Sequence, residues 1–428
     1  MNAMLLMLSI VLGVLAGFLL GCVPGLHLTL LLVPLPLLAA SLHPSLLAAA
    51  LAAATGAWAL AGMIPPLLLA VPDESTFLVL PAGVSAHRKG ACAGALSLAA
   101  AGALLGALLA IAALAITRPL LTILLPVLRP HFSWMLWSVI LFLLLSEWHH
   151  GHPFAPAGWR RALDAAGPTL TAWATFALSG LLGLLVWNRS FLPPHRSALM
   201  LTPVFAGLFS VPPLLLALLT PAPPPAQQPT PSALPVGPWL RGSLIGTAGG
   251  LAAVLLPALS GGIGAWLAHQ AIPSSDRRAY LVAQGAARSV YYGGGLLLFA
   301  QAESGLIRGS IAWNLLPWIP RDGNHLWFLI AGALAVGTAI AFLLAVPAGN
   351  SLFQATSRAP RVQRLLLVLS LLGIAGITAV LTKGIGLALL GVATAIGFIP
   401  LFFRNRRIHL LGVVLLPVAL ALSEYTPL

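Results

Sequence analysis

Apolar runs long enough to cross a bilayer recur along this whole 428-residue chain, and that recurrence confines the fold to bundled membrane helices. They cover approximately Met4–Leu20, Leu46–Val71, Ala91–Ile116, Ser133–Leu145, Pro168–Trp187, Ala198–Leu219, Trp239–Leu256, Ala279–Ala300, Leu326–Val346, Leu365–Leu381, Ile385–Phe402 and His409–Ala421. Lipid offers the backbone no hydrogen-bond partner, so each crossing closes its own bonds as a helix of ~20 residues. Proline cuts two further apolar stretches, Leu26–Ala40 at Pro34 and Pro36, and Leu120–Leu128 at Pro126. These read as half-helices or re-entrant pieces. The expectation is an all-α polytopic membrane protein of about 10–12 transmembrane or re-entrant helices, with broken helices in two repeated halves, in the cell (plasma) membrane.

Charge supports the same class. Only 7% of residues are charged, against roughly 25% in a soluble domain, and so few could not hydrate a soluble surface. The net charge of +13 comes from arginines that lie mostly in short connectors, where positive-inside topology accounts for them. No basic helix with interleaved aromatics is present, so nucleic acid is not an expected partner. Cys22 and Cys92 both sit in apolar stretches and imply no disulfide framework. Leu19-Leu20-Gly21-Cys22 resembles a lipoprotein cleavage box, but no Lys or Arg precedes it and apolar sequence continues past it. It reads as part of a first transmembrane helix.

The stretch from Thr220 to Pro238, TPAPPPAQQPTPSALPVGP, is proline-rich and uncharged, which suits a linker outside the bilayer. It divides the chain into a first membrane half, 1–220, and a second, 239–428, joined by residues 221–238. The halves share a pattern: Gly17, Pro24-Gly25, Gly56 and Glu74 in the first, and Gly250, Pro257-Ala258, Gly285 and Glu303 in the second, at matched spacings. Paired interrupted segments of this kind point to a transporter's binding site. Arg358, Arg361 and Arg364 lie two spans before Arg404, Arg406 and Arg407, so both clusters are expected on one side.

Candidate site residues follow from the breaks. At Pro24 and Gly25 the chain frees backbone groups, tolerated at membrane depth only where they face protein or a watery cavity. His27 and Thr29 add a titratable ring and a hydroxyl at the start of the next half-helix, whose amide end favours an anion. The second break supplies Ser260, Gly261 and Gly262, residues equally suited to close helix packing. Downstream, Gln284, Arg288 and Ser289 sit inside an apolar span. A central arginine costs at least ~2.5 kcal/mol unless paired or wet, so Arg288 reads either as a binder of carboxylate or phosphate or as the structural partner of an acid such as Glu303. Acids are scarce, eight in all, and Asp73, Glu74 and Glu303 lie at the ends of broken spans, where they are candidates for coupling to a proton or sodium ion. An alternative reading makes Asp73 and Glu74 a solvated cap. His149, His150 and His152 lack further ligands and read as an interfacial loop, so no metal site is expected. No nucleotide, hydrolase or deaminase signature appears, and neither a cofactor nor a catalytic residue is assigned.

Taken together, Pro24-Gly25-Leu26-His27, the segment from Ile64-Pro65-Pro66 to Asp73-Glu74 with Leu80-Pro81 and His87-Arg88 after it, and the later Tyr280-Leu281-Val282 and Gly285-Ala286-Ala287 resemble the TctA family. This is the large membrane subunit of tripartite tricarboxylate transporters, and the likeness is greatest to its stand-alone branch, frequent in archaea. It covers most of residues 5–350. The resemblance implies a permease with a duplicated helical fold and organic anions such as citrate as cargo. In the tripartite systems it works with a small membrane subunit and an extracytoplasmic binding protein. One departure stands out: the second Pro-Gly of the pattern is Pro257-Ala258. The expected function is therefore a secondary transporter for a tri- or dicarboxylate, driven by a proton or sodium gradient. A translocase of a lipid-linked phosphate such as polyprenyl phosphate is the alternative, and an intramembrane enzyme built on Asp73, Glu74 and His87 a more distant one.

Overall fold

The computed structural model describes residues 2–148, 159–189, 191–220, 236–271, 276–321 and 323–425. Most of the linker 221–238 and the histidines at 149, 150 and 152 lie outside them. Helices α1 (Ala3–Cys22), α2 (Leu35–Ser41), α3 (Pro44–Ala61) and α4 (Ile64–Leu68) open the chain. Then come α5 (Leu80–Arg88), α6 (Cys92–Leu128), α7 (Phe132–Leu145) and α8 (Trp159–Asn188). Next in the chain are α9 (Leu201–Phe205), a π-helical turn (Ala206–Ser210) and α10 (Val211–Leu219). Further along come α11 (Val236–Leu255), α12 (Gly261–Ala271), α13 (Arg277–Ala300), α14 (Ser310–Leu315), α15 (Asn324–Arg358), α16 (Pro360–Phe402) and α17 (Gly412–Tyr425). No strand occurs among the described residues.

Eight segments of the described residues are long and apolar enough to cross a membrane, fewer than the expected 10–12 runs. Part of the difference is that helices fuse across breaks. Cys92–Leu145 runs to 54 residues and Pro360–Phe402 to 43, far beyond the ~20 of one crossing. Helix α16 is kinked at Lys383, whose backbone is non-helical (φ 55°, ψ −152°). Ile374 and Ala393, on opposite sides of that kink, sit against Gly25 with Ser210 and against Gly207, respectively. The chain is an all-α polytopic membrane protein.

Small residues set the helix contacts. Gly13 and Gly17 on α1 lie against the backbone of Ala50 and Ala54 on α3. Gly246 and Gly250 on α11 lie in the same way against Ala283 and Ala287 on α13. Without side chains at these positions the backbones come into direct contact, which is how helices associate where lipid removes the hydrophobic drive. The crossings match as well: α13 packs on α6 as α3 packs on α15, with Gly106 against Ala286 and Gly337 against Ala53. These pairs align Ala50 with Ala283, which sets Gly56 opposite Ser289. The spacing pattern had matched Gly56 with Gly285, one turn away; glycine recurs too often on these helices for spacing alone to fix the register.

Both breaks bend through the same backbone state. Gly25 has φ +80° and Ala258 φ +62°, the left-handed region. The departure from Pro-Gly at the second break is thus a residue change within a conserved turn geometry, paid in local strain of ~1–2 kcal/mol for a non-glycine residue. Ala258→Gly is expected to raise stability by about 0.5–1 kcal/mol, after the added freedom of the unfolded chain is deducted. Gly25→Ala, with the side chain of Ile374 in its way, is expected to lower it. Chemical unfolding in detergent micelles, read by circular dichroism, compares the two.

Candidate functional site

Four ionisable side chains, the buried His27, Glu74 and Arg288 and the half-buried Asp73, meet where the first break approaches the end of α4. The turn Pro72–Thr76 is held by Asp73, whose Oδ1 accepts from the backbone N–H groups of Ser75 (2.9 Å) and Thr76 (2.8 Å) and from both their hydroxyls (2.9 Å each). The capping reading of Asp73 thus describes part of its role, in a protein interior and not in a solvated loop. Asp73 is also an ion-pair partner. Arg288 Nη1 lies 2.7 Å from its Oδ2 and 2.8 Å from its Oδ1, and donates to the Ser75 hydroxyl.

Arg288 is 1% exposed, and everything around it compensates that burial. Its Nε donates to the Ala59 carbonyl at 2.8 Å. Its guanidinium lies 4.2 Å above the Trp58 ring and 5.5 Å from that of Tyr292. Its Nη2 is buried without a hydrogen-bond partner among the described residues and rests against Gly62, where any side chain would displace it. The sequence left open whether its acid was Glu303; the structure shows Asp73. Glu303 is exposed in a short turn after α13, about 15 residues along the chain from Arg288, or some 20 Å of helix, and joins no ion pair among the described residues.

Glu74 is the second acid, 5% exposed. Its Oε1 accepts from the Tyr292 hydroxyl at 2.7 Å and faces His27 Nε2 at 3.3 Å. The other ring nitrogen of His27 accepts the backbone N–H of Thr29 at 3.2 Å, capping the 3-10 turn Leu28–Leu32. That bond places the neutral ring's proton on Nε2, toward Glu74. Thr29 Oγ1 shares hydrogen bonds with His27 Nδ1 (3.0 Å) and with Thr202 Oγ1 (3.1 Å). Trp58 Nε1 donates to the Leu26 carbonyl that the break has freed (3.2 Å).

The second break reaches the same turn. Ser260 caps α12 through the Ile263 N–H at 3.3 Å, and Gly262 lies against the Ser75 carbonyl. Gly261 packs on Ala287 and Tyr291 of α13, and Gln284 is buried beside Gly262. Ser289 is buried, with no hydrogen-bond partner for its hydroxyl among the described residues, and stands outside the bonded network. Pro24 and Gly25 line, with Gly21, Trp58, Pro65 and Asp73, a crevice. It is narrow, with room inside for about one water molecule.

Sequence reasoning passed over Trp58, Ser75, Thr202, Ser210 and Tyr292. Ser210, in the π-helical turn, donates to the Pro72 carbonyl at 2.8 Å, and Phe205, the last residue of α9, lies 5.3 Å from the His27 ring. The only local signal for that turn was the Pro203, Pro212 and Pro213 cluster around it.

The profile of the Tripartite tricarboxylate transporter TctA family matches residues 7–412, nearly the whole chain. The chain belongs to that family. It is therefore a component of a tricarboxylate transporter and a multi-pass membrane protein. No curated protein and no solved structure matches it.

Removing either member of the buried pair leaves the other charge uncompensated, so Arg288→Ala and Asp73→Ala are each expected to cost about 3–5 kcal/mol. The double substitution is expected to cost clearly less than their sum, because it removes the stranded charge. A double-mutant cycle measured by unfolding in micelles checks this; strict additivity would show the ion pair to be energetically idle.

Proposed function

We propose that this chain is the permease of a secondary transporter for a tri- or dicarboxylate, and that the buried His27–Glu74 pair couples transport to a proton gradient. The observation that carries this reading is the charge balance of the cluster. Arg288 is matched by Asp73, which leaves Glu74 beside a histidine with a bound proton facing it. With His27 neutral the four groups sum to one negative charge, which repels an arriving carboxylate at low dielectric. Taking up one proton cancels that charge, and releasing it on the other side restores it. Sodium held by carboxylates and freed break carbonyls is the competing coupling ion.

The two halves, 1–220 and 239–428, act in this reading as inverted repeats around the cluster, joined by the 221–238 linker. Matched packing of α1 on α3 and α11 on α13, and the left-handed residue at both breaks, support that duplication. The narrow crevice represents a closed state, and rocking of one half on the other would open it. The family's tripartite description supports two further components, a small membrane subunit and an extracytoplasmic binding protein.

Proteoliposomes with separately imposed proton and sodium gradients test the coupling. A proton gradient is expected to drive citrate or succinate accumulation. Glu74→Gln, which fixes the neutral state, is expected to abolish gradient-driven accumulation while counterflow exchange persists. Accumulation driven by sodium alone would replace the proton with sodium; exchange and accumulation both intact in Glu74→Gln would remove Glu74 from coupling.

A further inference from the structure

Arg288 is internally neutralised, so a substrate carboxylate needs another cation, and the matched halves lead to one. Trp58 follows Ala54 by one turn on α3 and Gly62 by two; on α13 the same steps from Ala287 lead to Tyr291 and Gly295. Gly62 rests against the Arg288 guanidinium, and Gly295 faces the backbone carbonyl of Arg308. Trp58 bonds the first break, and Tyr291 rests against Gly261 in the second. Just past Asp73 the turn Phe77–Val79 packs on α12, and just past Arg308 helix α14 packs on the turn Leu28–Leu32. Arg308 thus occupies in the second half the place that the acidic turn holds in the first.

Its environment differs from that of Arg288 in the way that matters. Arg308 is half-buried, and no carboxylate lies within ion-pair distance of it among the described residues. One Nη2 donates to the Leu255 carbonyl, freed at the end of α11, at 2.8 Å. Its Nε is buried with no hydrogen-bond partner, and its guanidinium lies 5.6 Å from the Phe132 ring. Arg129 adds a second guanidinium against the left-handed Gly305, three residues before Arg308. A planar fork with unused donors, beside a helix break and a second arginine, suits a carboxylate.

We propose that Arg308 forms a second anion-binding station, holding a carboxylate group of the substrate at the counterpart of the Arg288–Asp73 crevice. This rests on the carboxylate-transport reading. The guanidinium exchanges the Leu255 carbonyl for the incoming carboxylate, and Arg288 serves as a positioning residue that keeps the acidic turn in place.

The test uses the full chain in detergent, treated with phenylglyoxal and mapped by mass spectrometry, with and without citrate, succinate or inorganic phosphate. Arg308 is expected to be modified, buried Arg288 to be spared, and citrate or succinate to slow labelling of Arg308 several-fold. In proteoliposomes Arg308→Gln is expected to raise the KM for citrate about 10- to 100-fold, the loss of one charge-assisted pair, with Arg308→Lys between it and wild type. Labelling of Arg308 that citrate and succinate leave unchanged, in protein that still takes up citrate, would overturn the station and leave the transport reading standing. Protection by inorganic phosphate alone would overturn it too, in favour of a phosphate ligand. Wild-type vesicles that accumulate no carboxylate under any gradient would instead overturn the transport reading, a result separate from the labelling.

Discussion

Everything around the centre of this protein follows from burying one guanidinium. Arg288 sits in the middle of α13 with 1% of its surface exposed, in a molecule whose surroundings are lipid. A charge there persists only if it is matched, and the match draws in distant pieces: Asp73 and Ser75 from the turn after α4, the Ala59 carbonyl and Trp58 from α3, and Tyr292 from its own helix. The turn Pro72–Thr76 is therefore fixed by the second half of the chain, though it belongs to the first. Glu74, carried on the same turn, is delivered to His27 and Tyr292 as a consequence.

Close backbone approach makes that geometry possible. Glycines at Gly13, Gly17, Gly246 and Gly250 bring α1 onto α3 and α11 onto α13 without intervening side chains. The breaks that follow α1 and α11 are thereby held against the same two helices that carry Trp58 and Arg288. Gly62 contributes differently, by leaving the space that the arginine's end occupies. Small residues here pack backbone closely around the charged centre, and the low dielectric of a packed interior strengthens each electrostatic contact within it.

The turn after α4 carries two acids, Asp73 and Glu74, whereas the segment between α13 and α14 carries Arg308, with Glu303 exposed five residues before it. In the transport reading proposed above, a scaffold with a proton-responsive group at one place and an anion-binding group at another is suited to moving both together. In that same reading, the ion pair of Arg288 with Asp73 holds the acidic turn, while Glu74 and Arg308 exchange partners.

The sequence by itself determined the solvent and the class of fold. Apolar runs of ~20 residues and a charged fraction of 7% admit helices in a bilayer and little else. Proline and glycine marked both breaks, because their backbone chemistry is local, and the cost of an intramembrane charge singled out Arg288 and the scarce acids. Tertiary structure alone decided which charges pair. Asp73 lies 215 residues from Arg288 and Glu303 only 15, yet α13 continues helical for about three turns beyond Arg288 before Glu303 is reached, while the distant turn is folded onto the arginine. Trp58, Thr202, Ser210 and Tyr292 stayed invisible for the same reason: nothing in an apolar helix shows which face meets a partner until the partner is in place. Even the correspondence suggested by glycine spacing, Gly56 with Gly285, differs by one turn from the one that the backbone contacts of Gly13, Gly17, Gly246 and Gly250 suggest.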